Sequence, residues 1–229
     1  MKDSAFIGVS LDSDKFSREW VRHALRYILA EHKDLEMVLA DRLLEYNKIS
    51  RFDVGPSIET KAAKLRIEKR KADIEAFLKS EIHQLSVADQ QRVSIRTWDD
   101  FSDARFSNLL RCLRIAYTAI PAFRNCVHQD VEHHFSKQLA SEGAKATSHV
   151  LSACYVLEET AMIIRITEFA PRPFDFYPER QIDTLAQLYQ DRFRDFGLTV
   201  ENMIQQRPTR VFTSLSLPNC AVSVGNASQ

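Results

Sequence analysis

The sequence predicts an α/β protein built on a mainly parallel sheet with helices on its faces. Three observations carry that expectation. Ala5 to Val9 is a short apolar run without helical periodicity, which reads as a buried strand. From Ser17 to His32 the apolar residues Val21, Ala24, Leu25 and Ile28 recur at helical spacing. Leu35 to Ala40 then reads as the next buried strand, closed by Asp41. Strand, helix and strand in that order call for a parallel pair joined by a right-handed crossover.

The remaining elements follow in chain order. Leu43 to Phe52 reads as a short helix, ended by Gly55-Pro56. Ser57 to Leu85 holds neither Gly nor Pro and predicts a long helix. Val93 to Arg96 is a third strand, and Thr97-Trp98-Asp99-Asp100 begins a helix that runs to Tyr117. Pro121 fits the first turn of the next helix, which ends near Gly143. Ala144 to Ile166 is another helix. Phe169 to Pro178, with three prolines, is expected to be a rigid extended loop. Gln181 to Phe196 reads as one last amphipathic helix. Beyond Pro208 the residues are rich in Ser, Thr and Val, and either add an edge strand or stay loose. Residues 1–197 are thus expected to form the single domain and 198–229 a C-terminal extension.

Composition narrows the function classes. The 229 residues are 45% hydrophobic and balance 31 basic against 31 acidic side chains, so a polyanionic partner must meet a local basic patch. One such patch exists. Lys61, Lys64, Arg66, Lys69, Arg70 and Lys71 face a single acid, Glu68, along the long helix. It is either a solvated face or a surface for nucleic-acid phosphates. The polar start MKDSAFIGVSLDSD does not read as a signal peptide, and no apolar run approaches the ~20 residues that span a membrane. Four cysteines without C-x-x-C spacing read as reduced thiols, and a cytoplasmic protein is expected. His128, His133 and His134 share a helix with Asp130 and Glu132, with Asp130 and His134 at strict i,i+4 spacing. The stretch reads as a wet helix face, with no metal expected. The absence of G-x-G-x-x-G and of a Walker lysine argues against a nucleotide cofactor.

Two places carry chemistry. Ser10 stands at the carboxyl end of the first strand, where ligands of open α/β sheets bind, and Gly8 lets a ligand approach the backbone. It is otherwise a turn-capping serine. Tyr155 and Glu159 lie one helical turn apart in the largely apolar CYVLEETAMII. They are either a packing pair or a carboxylate raised in pKa and serving as a base. A further hydroxyl, Tyr177, precedes Pro178.

In this order the residues resemble the cyclodipeptide synthases. Gly8-Val9-Ser10 with Phe16-Ser17, Asp41 with Tyr46-Asn47, the basic helix, Tyr155-x-x-x-Glu159 and Tyr177 correspond to that family's signatures over residues 5 to 195. Ser13 and Tyr177-Pro178 match the branch with a variable residue after the nucleophile and Tyr-Pro in the late loop. The resemblance implies a Rossmann-like domain similar to the catalytic domains of class I tyrosyl- and tryptophanyl-tRNA synthetases. It implies an ATP-independent enzyme, monomer or homodimer, that uses two aminoacyl-tRNAs in turn. Ser10 takes the aminoacyl group, Tyr155 and Glu159 hold and deprotonate its amine, and Tyr177 positions the dipeptidyl ester. Tyr117, Phe6 and Met162 match substrate-pocket positions, and an apolar first residue is implied. Neither His-x-Gly-His nor Lys-Met-Ser-Lys-Ser is present for a synthetase, and Gly8-Val9-Ser10-Leu11-Asp12 lacks the second glycine of a hydrolase elbow. The rival is a non-catalytic tRNA-binding module of synthetase-like fold.

Overall fold

In the computed structural model, residues 3–10, 15–40, 61–141, 146–168, 174–178, 182–205, 211–215 and 217 are described. For residues 61–64, 66–67, 134–141, 146–148, 177 and 211–213 the description covers the backbone alone. The expected helix at Leu43–Phe52, together with Ser13, Asp41, Tyr46, Asn47 and Gly55-Pro56, lies outside the described residues.

Strand β1 is Ala5–Val9, followed by helix α1 at Arg18–Glu31 and strand β2 at Leu35–Leu39. Ser17 starts α1 by accepting the Trp20 N–H at 3.2 Å, so the serine after Phe16 is a helix cap. Helix α2 is Lys61–Ile82, α3 is the short Val87–Gln90, and strand β3 is Val93–Thr97. Helices α4 (Ala104–Ala119), α5 (Pro121–Ser141) and α6 (Ala146–Thr167) follow. Strand β4 is Phe174–Tyr177, α7 is Asp183–Tyr189, α8 is Val200–Ile204 and strand β5 is Val211–Ser214.

The five strands form one sheet in the order β3-β2-β1-β4-β5, and every pair is parallel. Alternation along β1 and β2 sorts the core into two layers. Ile7, Met37 and Leu39 pack with Ile28 and Leu25 of α1 and Leu78 of α2. Phe6 and Val38 face the other way, onto Leu113 of α4, Val127 of α5 and Ile163 of α6. Trp20 Nε1 donates to the Leu215 carbonyl at 2.7 Å and ties α1 to the end of β5. Among the described residues no helix is long and apolar enough to cross a membrane.

The structure corrects three expectations. The helix from Thr97 to Tyr117 is broken: a 3-10 turn at Trp98–Phe101 buries two aromatics, and Asp103 restarts the chain by accepting the Phe106 N–H at 2.8 Å. The expected loop at Phe169–Pro178 contains β4, because its alternating FDFY finds a parallel partner on each side. The single helix from Gln181 to Phe196 stops at Tyr189, since Asp191 takes a left-handed φ of 57°. A 3-10 turn follows at Arg194–Phe196, Gly197 turns at φ 70°, and Thr199 then caps α8. The edge-strand alternative for the C-terminal stretch is realised at β5.

Candidate active site

In this sheet order the strand sequence reverses between β1 and β4. Ligands of such sheets lie in the crevice outside the carboxyl ends at that reversal. The β1–β4 ladder runs through Ala5–Phe174 and Phe6–Asp175. From there β1 continues to Val9 and β4 to Tyr177, toward the same end of the sheet. Ser10, half-buried, follows β1 directly. Its period-two parity with Phe6 and Gly8 assigns it to the face that α6 covers. Tyr177 closes β4, and its side chain is outside the described residues.

Helix α6 carries Tyr155 and Glu159 one turn apart, and Met162, 1% exposed, nearly one turn further. Tyr155 packs on the hydrophobic layer that includes Phe6 and Met162. Glu159 is half-buried as a residue, with its carboxyl at the enclosed end. Burial pushes that carboxyl up to about 7, and the charges of Asp130 and Asp175 push the same way. Asp175 lies on β4 between Phe174 and Phe176, on the opposite side of the strand, and is fully buried. Asp130 of α5 is 2% exposed, and its two oxygens accept the backbone N–H groups of Asp183 and Thr184 at 2.7 Å each. Four elements thus bring three acids together; the sequence reading left Asp175 aside and placed Asp130 on a wet helix face, whereas the structure buries it against the start of α7. The signal for Asp175 was an acid between two phenylalanines in the alternating FDFY.

The other expected residues are less concentrated. Tyr117, half-buried, shares a hydrogen bond of 2.8 Å with His128 Nε2. Burial raises the tyrosine hydroxyl; burial, then His149 and Arg124, lower the histidine. This histidine thus partners a hydroxyl. Phe6 is buried four residues before Ser10, about 13 Å back along the strand at 3.3 Å per residue. It also borders a cavity of about 330 Å³ at the amino edge of the sheet, lined by Ser4, Asp34, Glu36, Ser94 and Arg96.

The basic helix has a defined placement. Arg18 sits over the Phe77 ring at 5.8 Å, and Glu81 pairs with Arg18 at 3.1 Å and Arg22 at 2.5 Å. Arg22 also donates to Gln84. The contacts advance together along both helices, so α1 and α2 run the same way. Residues 61–73 of α2 therefore extend past the first turn of α1, on the side of the sheet's carboxyl edge, by about 20 Å at 1.5 Å per residue. Lys69 and Arg70 are exposed there and Lys71 is half-buried; the side chains of Lys61, Lys64 and Arg66 are outside the described residues.

Sheet order, crevice and hydroxyl at the switch point define a Rossmann-like α/β protein of the type found in class I synthetase catalytic domains. The family model for cyclodipeptide synthases matches residues 1–170, and the chain belongs to that family. It is thus an aminoacyl-tRNA-dependent enzyme that works without ATP. Among curated proteins there is no match. A cyclodipeptide synthase from Fluoribacter dumoffii shares the fold at TM-score 0.70 and 15% identity, covering 94% of this chain and 91% of that one. The synthase from Candidatus Glomeribacter gigasporarum, solved bound to Phe-tRNAPhe, aligns at TM-score 0.62 and 16% identity over 97% of this chain and 92% of that one. Tyrosyl-tRNA synthetase from Archaeoglobus fulgidus aligns at TM-score 0.52 and 11% identity, over 93% of this chain and 55% of its own.

Proposed function

We propose that the protein joins the aminoacyl groups of two aminoacyl-tRNAs into a 2,5-diketopiperazine by ping-pong transfer through Ser10. The Ser10 hydroxyl attacks the ester carbonyl of the first aminoacyl-tRNA. The tRNA hydroxyl leaves with the serine proton, and an aminoacyl-serine ester remains. Its amine attacks the second aminoacyl-tRNA, releasing that tRNA and giving dipeptidyl-Ser10. The terminal amine of the dipeptide then attacks the serine ester, which closes the ring and frees Ser10. Each ester retains acyl-transfer potential, so no further energy source is consumed.

Both amine attacks need a neutral nitrogen, whereas a free α-amino group has a pKa of roughly 8. A carboxyl at about 7 is matched to that proton. Glu159 takes it, Tyr155 helps to hold the ammonium, and Tyr177 positions the dipeptidyl ester. Met162 and Phe6 supply the apolar surface for the first side chain, with Tyr117 as a pocket hydroxyl. The basic start of α2 contacts the tRNA phosphates. The observation that carries this reading is the raised, buried Glu159 on the helix that covers the β1–β4 switch point, where Ser10 ends β1.

The test is incubation with a mixture of aminoacyl-tRNAs, read by intact-protein mass and by mass spectrometry of the products. Wild type gains one aminoacyl mass and releases cyclic dipeptide. Ser10→Ala gives neither, and product from it at the wild-type rate would sink the mechanism.

A further inference from the structure

We infer that Asp130 is a positioning residue for the acyl transfer, pinning the start of α7 to α5 and holding a negative charge behind Glu159. The inference rests on the reading of Glu159 as the base.

A carboxylate that is 2% exposed is costly to bury unless its oxygens are hydrogen-bonded. Among the described residues Asp130 meets that demand with backbone groups alone, the N–H of Asp183 and of Thr184. These are orphan donors of the first turn of α7, whose own N-cap, Ile182, offers no side-chain acceptor. The helix is therefore capped from another element. Its start lies six residues after Tyr177, so the cap also fixes the path by which the chain leaves β4.

No cation neutralises Asp130 among the described residues. Its own helix adds Cys126, whose thiol is pushed up to about 11 by burial, with the charges of Asp130 and Asp183 adding to the effect. From α7 come Asp183 and Thr184, from β4 Asp175, and from α6 Glu159. A fixed negative charge in this acidic surrounding disfavours a second charge on Glu159. The two backbone donors keep it fixed. Asp130 raises Glu159 more than Asp175 does.

The test follows Glu159 by carbon-13 NMR titration, alongside kcat and KM as functions of pH, in wild type, Asp130→Asn and Asp130→Glu. In Asp130→Asn, Glu159 titrates at a lower pH than in wild type and the acid limb of kcat moves down with it. At pH 8 kcat falls several-fold while KM for aminoacyl-tRNA holds. Asp130→Glu restores the charge and returns the limb toward wild type, with kcat reduced by the displaced cap. A folded Asp130→Asn with an unshifted Glu159 titration overturns the inference. If Asp130→Asn does not fold, Asp130→Glu decides alone, and wild-type kcat in it overturns the positioning role. The parent reading fails differently, by product formation in Glu159→Gln with Asp130 intact.

Discussion

Glu81 and Glu159 are carboxylates held against opposite faces of the same sheet, and their neighbours could hardly differ more. The side chain of Glu81 has no exposed surface and is met by Arg18 and Arg22 of α1, which stay 60% and 40% exposed. Its charge is balanced at the point of burial, and the pair fastens α2 to α1. Glu159 is enclosed by apolar side chains and by two more acids. At the far end of its own helix, Arg165 bonds Glu168 and Asp103, and that contact holds the Asp103 carboxyl below its usual range. Helix α6 therefore keeps its one arginine at that end, and no ion pair to Glu159 is found among the described residues. A compensated carboxylate builds the scaffold; an uncompensated one retains a proton near neutrality and is available for chemistry.

The strongest way to break this contrast is Glu159→Gln, which keeps shape and removes the base. Cyclic product should fall by about 10²–10⁴-fold, the span general bases contribute. Aminoacyl-Ser10 should accumulate, because the first transfer returns the serine proton to the departing tRNA. A folded variant without adduct would move Glu159 to first-substrate binding instead.

Stability should part the two glutamates in opposite directions. The folded pKa of Glu159 is about 7 against 4.5 for the free group. Between those values the folded protein keeps a proton that the unfolded chain has lost, so stability falls as pH rises through the window. Glu159→Gln should therefore match wild type near pH 4 and exceed it at pH 8 by about 2 kcal/mol, allowing for partial exposure. Glu81→Ala should lose about 2 kcal/mol at pH 7, less than a fully buried pair because both arginines rehydrate. Urea unfolding at the two pH values reads both; equal midpoints for wild type and Glu159→Gln at pH 8 would erase the distinction.

The smallest expected effect concerns the helix that Glu81 fastens. Lys69→Ala with Arg70→Ala should weaken aminoacyl-tRNA binding and flatten its log–log salt dependence by about 1.5. An unchanged slope would make that end of α2 a solvated face.

Much of this was legible in the sequence. Two strand-like runs around an amphipathic helix announced parallel strands, and the i,i+4 pair of Tyr155 and Glu159 needed only helical geometry. Ser17, Asp103 and Thr199 cap helices as their residue types allow, yet Asp103 and Thr199 were hidden inside stretches that looked uninterrupted or loose.

What the sequence alone determined is local: period, caps, the placement of Ser10 after a strand and the charge imbalance of residues 61–71. These depend on neighbours within a turn or two. The order β3-β2-β1-β4-β5, which makes the end of β1 a crevice, required β4 to insert beside β1 across more than 160 residues. The company of Glu159 was likewise decided in three dimensions. Asp130 and Asp175 are separated from it by 29 and 16 residues, and hydrogen-bond capping by one and strand register by the other bring them there. Burial and charge act through space at a few ångströms, so a carboxylate's pKa belongs to the fold that surrounds it.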